Sequence, residues 1–208
     1  MPPPNDARRR ALADAAIELL CEGGVHAVTH RAVERRAGLP DGTASNYFRS
    51  REALLVATAE RVVEQHHADL AAAEAVPHRK RGPQLAVDLI AGSLLEAATV
   101  HRRRYLAVFE LRLESLRRPA LAAALDRLMG GTEEAVAAHH ARLGLGMPAG
   151  AVPLMMVMYG GALFTLVTAP PGSVTAESVR PLAEHIVFGA LHAADPKAAG
   201  AARSTWAT

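Results

Sequence analysis

Ten histidines and a single cysteine are the side chains in this chain best suited to metal or acid–base chemistry. Their spacing works against that use. His66 and His67 are adjacent, as are His139 and His140, and neighbours on a helix point about 100° apart, so neither pair can close on one ion from one face. His185 and His192 fall on a common helical face, yet two imidazoles alone do not make a closed metal site. No Ser/His/Asp elbow, phosphate loop or dinucleotide fingerprint occurs. Cys21 can form no intramolecular disulfide, and a reducing cytoplasm suits it. The expectation is no metal, no cofactor and no enzymatic activity, with a metal-dependent enzyme kept only as an alternative.

A different chemistry is available in residues 29–55, THRAVERRAGLPDGTASNYFRSREALL. Its apolar spacing, Gly-Leu-Pro break and basic flanks describe two short helices set across a tight turn, an arrangement that can place the second helix in the major groove of DNA while the first braces on the backbone. Net charge is only +2, so any such surface must be local. Arg8, Arg9, Arg10, Arg31, Arg35, Arg36, Arg49 and Arg51 gather at this end of the chain.

The elements that would position this surface are legible in periodicity. Leu12, Ala15, Ala16, Leu19 and Leu20 form one stripe, ended by Gly23-Gly24, on a first helix that Asn5 or Asp6 can cap. Arg8, Arg9 and Arg10 crowd its first turn, as a solvated basic end or as phosphate contacts. Thr29 is placed to cap a second helix with Ala32, Val33 and Ala37 inward, and Gly38 ends it. Pro40 forbids simple continuation; a third short helix is expected over about 41–48, and Ser50 caps a long fourth one from Arg51 to about Ala75.

After a loop at 76–83, helical patterns follow at 85–100, 102–116, 119–143, 151–168 and 175–193, with no strand signal. The fold class is therefore all-α, about nine helices in total: an N-terminal three-helix helix-turn-helix domain over 1–50, a C-terminal helical domain over 51–195, and a flexible tail over 196–208. The opening residues read as amphipathic, not as a signal peptide. Residues 152–169 are nearly all apolar and approach membrane-spanning length, but Pro153, Gly160, Gly161 and Thr165 interrupt them; a helix buried at a subunit contact is the reading, with no membrane partner.

Residues 38–55 resemble the tetracycline-repressor (TetR) family of bacterial regulators, whose signature is a Gly-turn, a Gly-Thr pair, an aromatic cluster ending in Phe, then Ser-basic-Glu-x-Leu-Leu. Here these are Gly38 to Thr43, then Asn46-Tyr47-Phe48, then Ser50-Arg51-Glu52-Ala53-Leu54-Leu55. The likeness is close over the first 55 residues; beyond them length and helical layout agree. It implies a ligand-responsive transcriptional regulator, most often a repressor, bound to a palindromic double-stranded DNA operator. By the same resemblance Thr29 and Arg31 contact phosphate, Gly42, Thr43, Ser45 and Asn46 read bases, Tyr47 and Arg51 reach the backbone, and Phe48 packs inward with Leu19 and Leu54. Three positions depart from the family pattern: Pro40 replaces a capping Ser, Asp41 a basic residue, and Ser45 a Tyr. Asp41 either caps the third helix or accepts from a cytosine amino group.

The remaining helices offer a small-molecule pocket, for which Tyr105, Phe109, Glu110, Arg112, Leu113, Met129, Met155, Met158 and Tyr159 are candidates, against ordinary core packing for each. Glu114 and Arg118 are spaced to pair along their helix. Val179, Leu182, Ala183, Ile186, Val187, Ala190 and Leu191 make a regular stripe, and Gly160, Gly161 and Gly189 allow close helix approach. The resemblance implies a homodimer through these last helices, setting two reading helices about 34 Å apart. A helical protein-interaction module without DNA readout is the competing reading.

Overall fold

The computed structural model describes residues 4–195, without the side chains of residues 4, 5, 129 and 130; the tail expected over 196–208 lies outside the described residues. Among the described residues there are nine α-helices and no strand: α1 Pro4–Ala27, α2 His30–Ala37, α3 Thr43–Tyr47, α4 Arg51–Ala75, α5 Gly82–Ala98, α6 Arg102–Ser115, α7 Pro119–Leu143, α8 Val152–Thr168 and α9 Ala176–Ala194. They sort into two packing units. One takes the described part of Met1–Asp69 with His101–Gly131, the other Leu70–Val100 with the described part of Thr132–Thr208. The division falls inside α4 and α7, so α6 packs with the N-terminal helices, across the boundary expected at residue 50.

In the first unit the stripe read from sequence is the buried face of α1: Leu12, Ala15, Ala16 and Leu20 are shielded, and the helix kinks at Gly23 and Gly24 where the stripe ends. α1 packs on α6, α2 and α3. Val33 from α2, Ala44 from α3, Phe48, and Leu54 and Leu55 from α4 close the same core. Burying each large apolar side chain contributes about 1.5–3 kcal/mol, so this core and not the five-residue α3 itself holds α3 in place. Ion pairs tie α1 to α4: Arg61 grips Asp14 through two nitrogens at 2.8 and 3.1 Å, Arg9 meets Glu60 at 3.0 Å, and Arg10 meets Glu64 at 2.8 Å. These pairs are partly solvated and add little stability each. What they fix is the register of α4 along α1.

The second unit is built on α5, which packs against α8 and α9, themselves in contact. Leu85, Val87 and Leu94 of α5, Val179, Ile186 and Val187 of α9 and Val152, Met155 and Val167 of α8 are among its buried residues. Thr175 caps α9, with Thr175 and Ser178 forming a reciprocal capping box. Ala149–Thr168 is long and apolar enough to cross a membrane by length and composition, and a third of it is buried within the protein. Val157 and Phe164 on α8, and Leu182 and Phe188 on α9, remain exposed. Glu74, at the end of α4, receives Arg142 and also His139 Nδ1 at 2.7 Å; these contacts, Arg142 first, hold its carboxyl at about 2. His140 is buried with Nδ1 unpaired, and burial, aided by the neighbouring His139, lowers its pKa to about 4.

Candidate nucleic-acid interface

The helix-turn-helix is assembled from local capping outward. Thr29 has extended backbone, and its hydroxyl accepts from Ala32 N–H at 3.2 Å, starting α2 as its side-chain chemistry requires. Gly38 ends α2 in the left-handed region, at φ 64° and ψ 30°, and its N–H returns to the Arg35 and Glu34 carbonyls. Leu39 N–H also bonds Glu34 O, at 2.9 Å. The turn then runs through Pro40 and Asp41 to Gly42, which at φ 84° is again a position where a side chain would be strained, although nothing crowds the place its Cβ would take.

α3 starts at Thr43, two residues later than expected, and ends at Tyr47. Gly42 is the N-cap and no side chain caps its own helix, so Asp41, exposed in the turn, does not serve as the cap. The physical reason is the left-handed Gly42, which turns the chain after Asp41 and removes that residue from capping position. Thr43 Oγ1 instead donates to Pro40 O at 2.6 Å.

Two side chains of α2 hold the ends of α3. Glu34, 1 % exposed, accepts Ala44 N–H on Oε1 at 2.6 Å. His30 Nε2 donates to Phe48 O at 2.8 Å, which fixes the proton on that nitrogen because a carbonyl only accepts. Phe48 is 2 % exposed within the core that contains Leu54, with Leu19 packed against it, as expected, and the Arg9 guanidinium lies 5.7 Å from its ring centre. Ala44 and Phe48 thus face inward, while Ser45 and Asn46 are exposed and Thr43 and Tyr47 half-buried. Asp6, Arg8, Arg9, Thr43, Asn46 and Tyr47 line a groove of about 520 Å³ between the start of α1 and the outer side of α3.

The arginines divide into two sets. Arg8, Arg31, Arg35 and Arg49 are exposed and form no ion pair among the described residues. Arg36 binds Glu18 at 2.9 Å and also Glu22, and it holds the Glu22 carboxyl below the usual range. Arg51, expected at phosphate, is turned inward: Nε donates to Val28 O at 2.8 Å and a terminal nitrogen to Val25 O. It joins the start of α4 to the end of α1, where Val25 O also accepts Val28 N–H at 3.1 Å and Val28 lies just past the last helical residue.

The expected ligand residues are divided between the two units. Tyr105, on the buried face of α6, has its hydroxyl 3.4 Å from His66 Nδ1 and its ring 5.1 Å from the Arg104 guanidinium, which pairs with Asp69. Phe109 and Glu110 are half-buried on that helix, and Glu110 lies beside Gly24 at the α1 kink. Arg112 and Leu113 fall on the exposed face, because α6 buries Arg104, Tyr105, Ala107 and Leu111 and the next two residues rotate away. Glu114 and Arg118 pair as spaced, at 2.5 Å. The Met129 side chain lies outside the described residues. In the second unit Met155 is buried, Met158 lies against Gly189, and Tyr159 bonds Ser93 at 2.7 Å. The pairings of Arg104 and Ser93 carry no signal in the sequence, because polar residues spread singly along helices have no spacing pattern, and His66, read there only as half of an adjacent histidine pair, meets Tyr105 instead. Among the described residues no group of three or more His, Cys, Asp or Glu is placed to hold a metal.

Two stretches of the chain match known families. Residues 12–58 match the bacterial regulatory proteins of the tetR family, and residues 81–193 match the tetracyclin repressor-like C-terminal domain. The HTH-type transcriptional regulator BetI of Escherichia coli O139:H28 is 43 % identical over 58 residues, which are 28 % of this chain and 30 % of BetI. The chain therefore aligns with under a third of the length of this curated relative. A transcriptional regulator from Rhodococcus sp. Rha1 superposes with a TM-score of 0.67 at 16 % identity, over 88 % of this chain and 95 % of its own. The multidrug binding protein EbrR, solved with ethidium, superposes at 0.64 and 25 % identity, over 89 % of this chain and 99 % of its own. With both the capped, glycine-turned N-terminal unit and the larger part of the helical remainder matched, this chain belongs to the tetR family of bacterial regulatory proteins.

Proposed function

We propose that this protein is a cytoplasmic transcriptional repressor that binds a palindromic DNA operator as a homodimer and leaves it when a small molecule binds. The observation that carries the reading is the division of α3 between two faces: Ala44 and Phe48 anchor it, Ser45 and Asn46 are exposed, and Thr43, Asn46 and the half-buried Tyr47 line a groove together with Arg8 and Arg9. Asn46 offers the bidentate donor–acceptor pair that matches adenine, and the Thr43 methyl suits a thymine methyl. Gly42 lets the backbone come close. Thr29, with the α2 N-terminal amides, and Arg31 supply phosphate contacts. Tyr47 adds its hydroxyl, while Arg51 serves DNA binding indirectly, by holding α4 to the end of α1.

The exposed apolar residues of α8 and α9 support dimerisation: Val157 is 71 % and Phe188 44 % exposed, a patch that a second copy would cover. EbrR, a relative of the same fold, holds ethidium, which supports a small-molecule effector without naming it. Tyr105 with His66, and Tyr159 with Ser93 beside Met155 and Met158, are the polar and adaptable groups we assign to effector binding in the two units. Release needs only about 2.7 kcal/mol of differential ligand affinity to weaken operator binding a hundredfold. The Arg61–Asp14, Arg9–Glu60 and Arg10–Glu64 pairs would carry a shift of α4 into α1.

Selection of duplexes from a random library by the full-length protein tests this function. A recovered inverted repeat, with log K falling against log salt by about 0.9 per phosphate neutralised, supports it. Recovery of no preferred sequence removes it.

A further inference from the structure

α3 is too short to hold its own shape: five residues cannot sustain a helix in water, and its N-cap, Gly42, has no side chain to offer. Yet this helix must present Thr43 and Asn46 to base edges within a fraction of an ångström. Beside the core contacts of Ala44 and Phe48, α2 supplies a directional restraint. His30 and Glu34 stand one helical turn apart on α2, on a common face. Glu34 accepts the second amide of α3, Ala44 N–H, at 2.6 Å, and His30 donates to Phe48 O, the carbonyl at the opposite end, at 2.8 Å. Glu34 is 1 % exposed, so its oxygen lies where water cannot replace it as the acceptor for Ala44 N–H. One pair of side chains thereby fixes both ends of α3 against α2, and with them its tilt and its rotation about its own axis.

We propose that Glu34 and His30 are positioning residues for sequence readout, clamping the two ends of the reading helix without touching DNA themselves. The proposal rests on α3 being the reading helix. The clamp acts on where base-contacting side chains lie, not on the arginines that meet phosphate. Its loss therefore lowers the ratio of specific to non-specific affinity and leaves the salt dependence unchanged.

The test compares the full-length wild type with Glu34→Ala, Glu34→Gln, His30→Ala and Asn46→Ala. Each is titrated with a duplex selected by the wild type and with a scrambled duplex of equal length, and exchange of the Ala44 amide is followed by NMR without DNA. Glu34→Ala is expected to reduce the affinity ratio by about tenfold or more and to speed exchange at Ala44. Glu34→Gln keeps an acceptor oxygen and should stay within about threefold of wild type. His30→Ala should reduce the ratio with an unaltered salt slope. An unchanged ratio in Glu34→Ala, or an equal loss in Glu34→Gln, overturns the proposal. Should Glu34→Ala fail to fold, His30→Ala decides: an unchanged ratio there overturns the clamp. If Asn46→Ala leaves the ratio untouched, the reading role of α3 is what fails, and the Ala44 exchange rates still accept or reject the clamp.

Discussion

Asn46 is exposed on the outer side of α3 with its neighbours Ala44 and Phe48 buried, so truncating it disturbs no packing and tests the base contact proposed for it. Asn46→Ala should cost about 1–3 kcal/mol at the selected duplex and relax preference at one base pair, read by titrating single-substitution duplexes. Arg31, exposed and without an ion pair among the described residues, behaves differently. Arg31→Ala should weaken binding to all sequences alike and reduce the salt slope by about one. Arg51→Ala should leave that slope intact and instead lower stability by about 1–3 kcal/mol in denaturant melts, since it strips donors from the Val25 and Val28 carbonyls. Residues whose role is local were readable from sequence: Thr29 caps, Gly38 turns, Ser50 starts α4 by accepting from Ala53 N–H. Arg51 and Glu34 were not, because their partners lie 23 and 10 residues away and only the folded chain brings them together.

Helices longer than three turns announced themselves through their buried stripes, and the limits of α4, α6 and α7 agree with the periodicity within one residue. α3 did not, since five residues contain little more than one turn and its start is set by the left-handed Gly42 and not by a pattern. The packing units were also hidden in the sequence: a stripe tells that a face is buried but not against which helix, and α6 lies with α1. Between helices of the second unit, charge sets a pH response. His140 titrates at about 4 in the folded protein against an ordinary 6.5, because burial disfavours its charged form. The unfolded chain therefore takes up a proton first, and stability falls as pH drops from about 6.5 to 4. Glu74, held at about 2 from 4.5 by Arg142 and His139, removes further stability below that window. Thermal melts of His140→Leu should show a flatter pH dependence between 6.5 and 4 than wild type; an identical slope would assign that window to other groups.

At the scale of the whole molecule, the proposed dimer through the exposed apolar residues of α8 and α9 would bring two copies of α3 to the duplex. Phe188→Asp places a charge among those residues and should convert the proposed dimer to a monomer in sedimentation, with loss of most operator affinity and little change in helix content. Two copies of α3 held by such a dimer meet the same face of B-DNA at a separation near one helical turn or a multiple of it. A hydroxyl-radical footprint of the full-length protein on its selected duplex measures this arrangement directly. Two protected patches related by a dyad, with centres about 10 base pairs or a whole multiple apart on one face, are the predicted result. A single patch, or uniform weak protection without a dyad, would contradict the account.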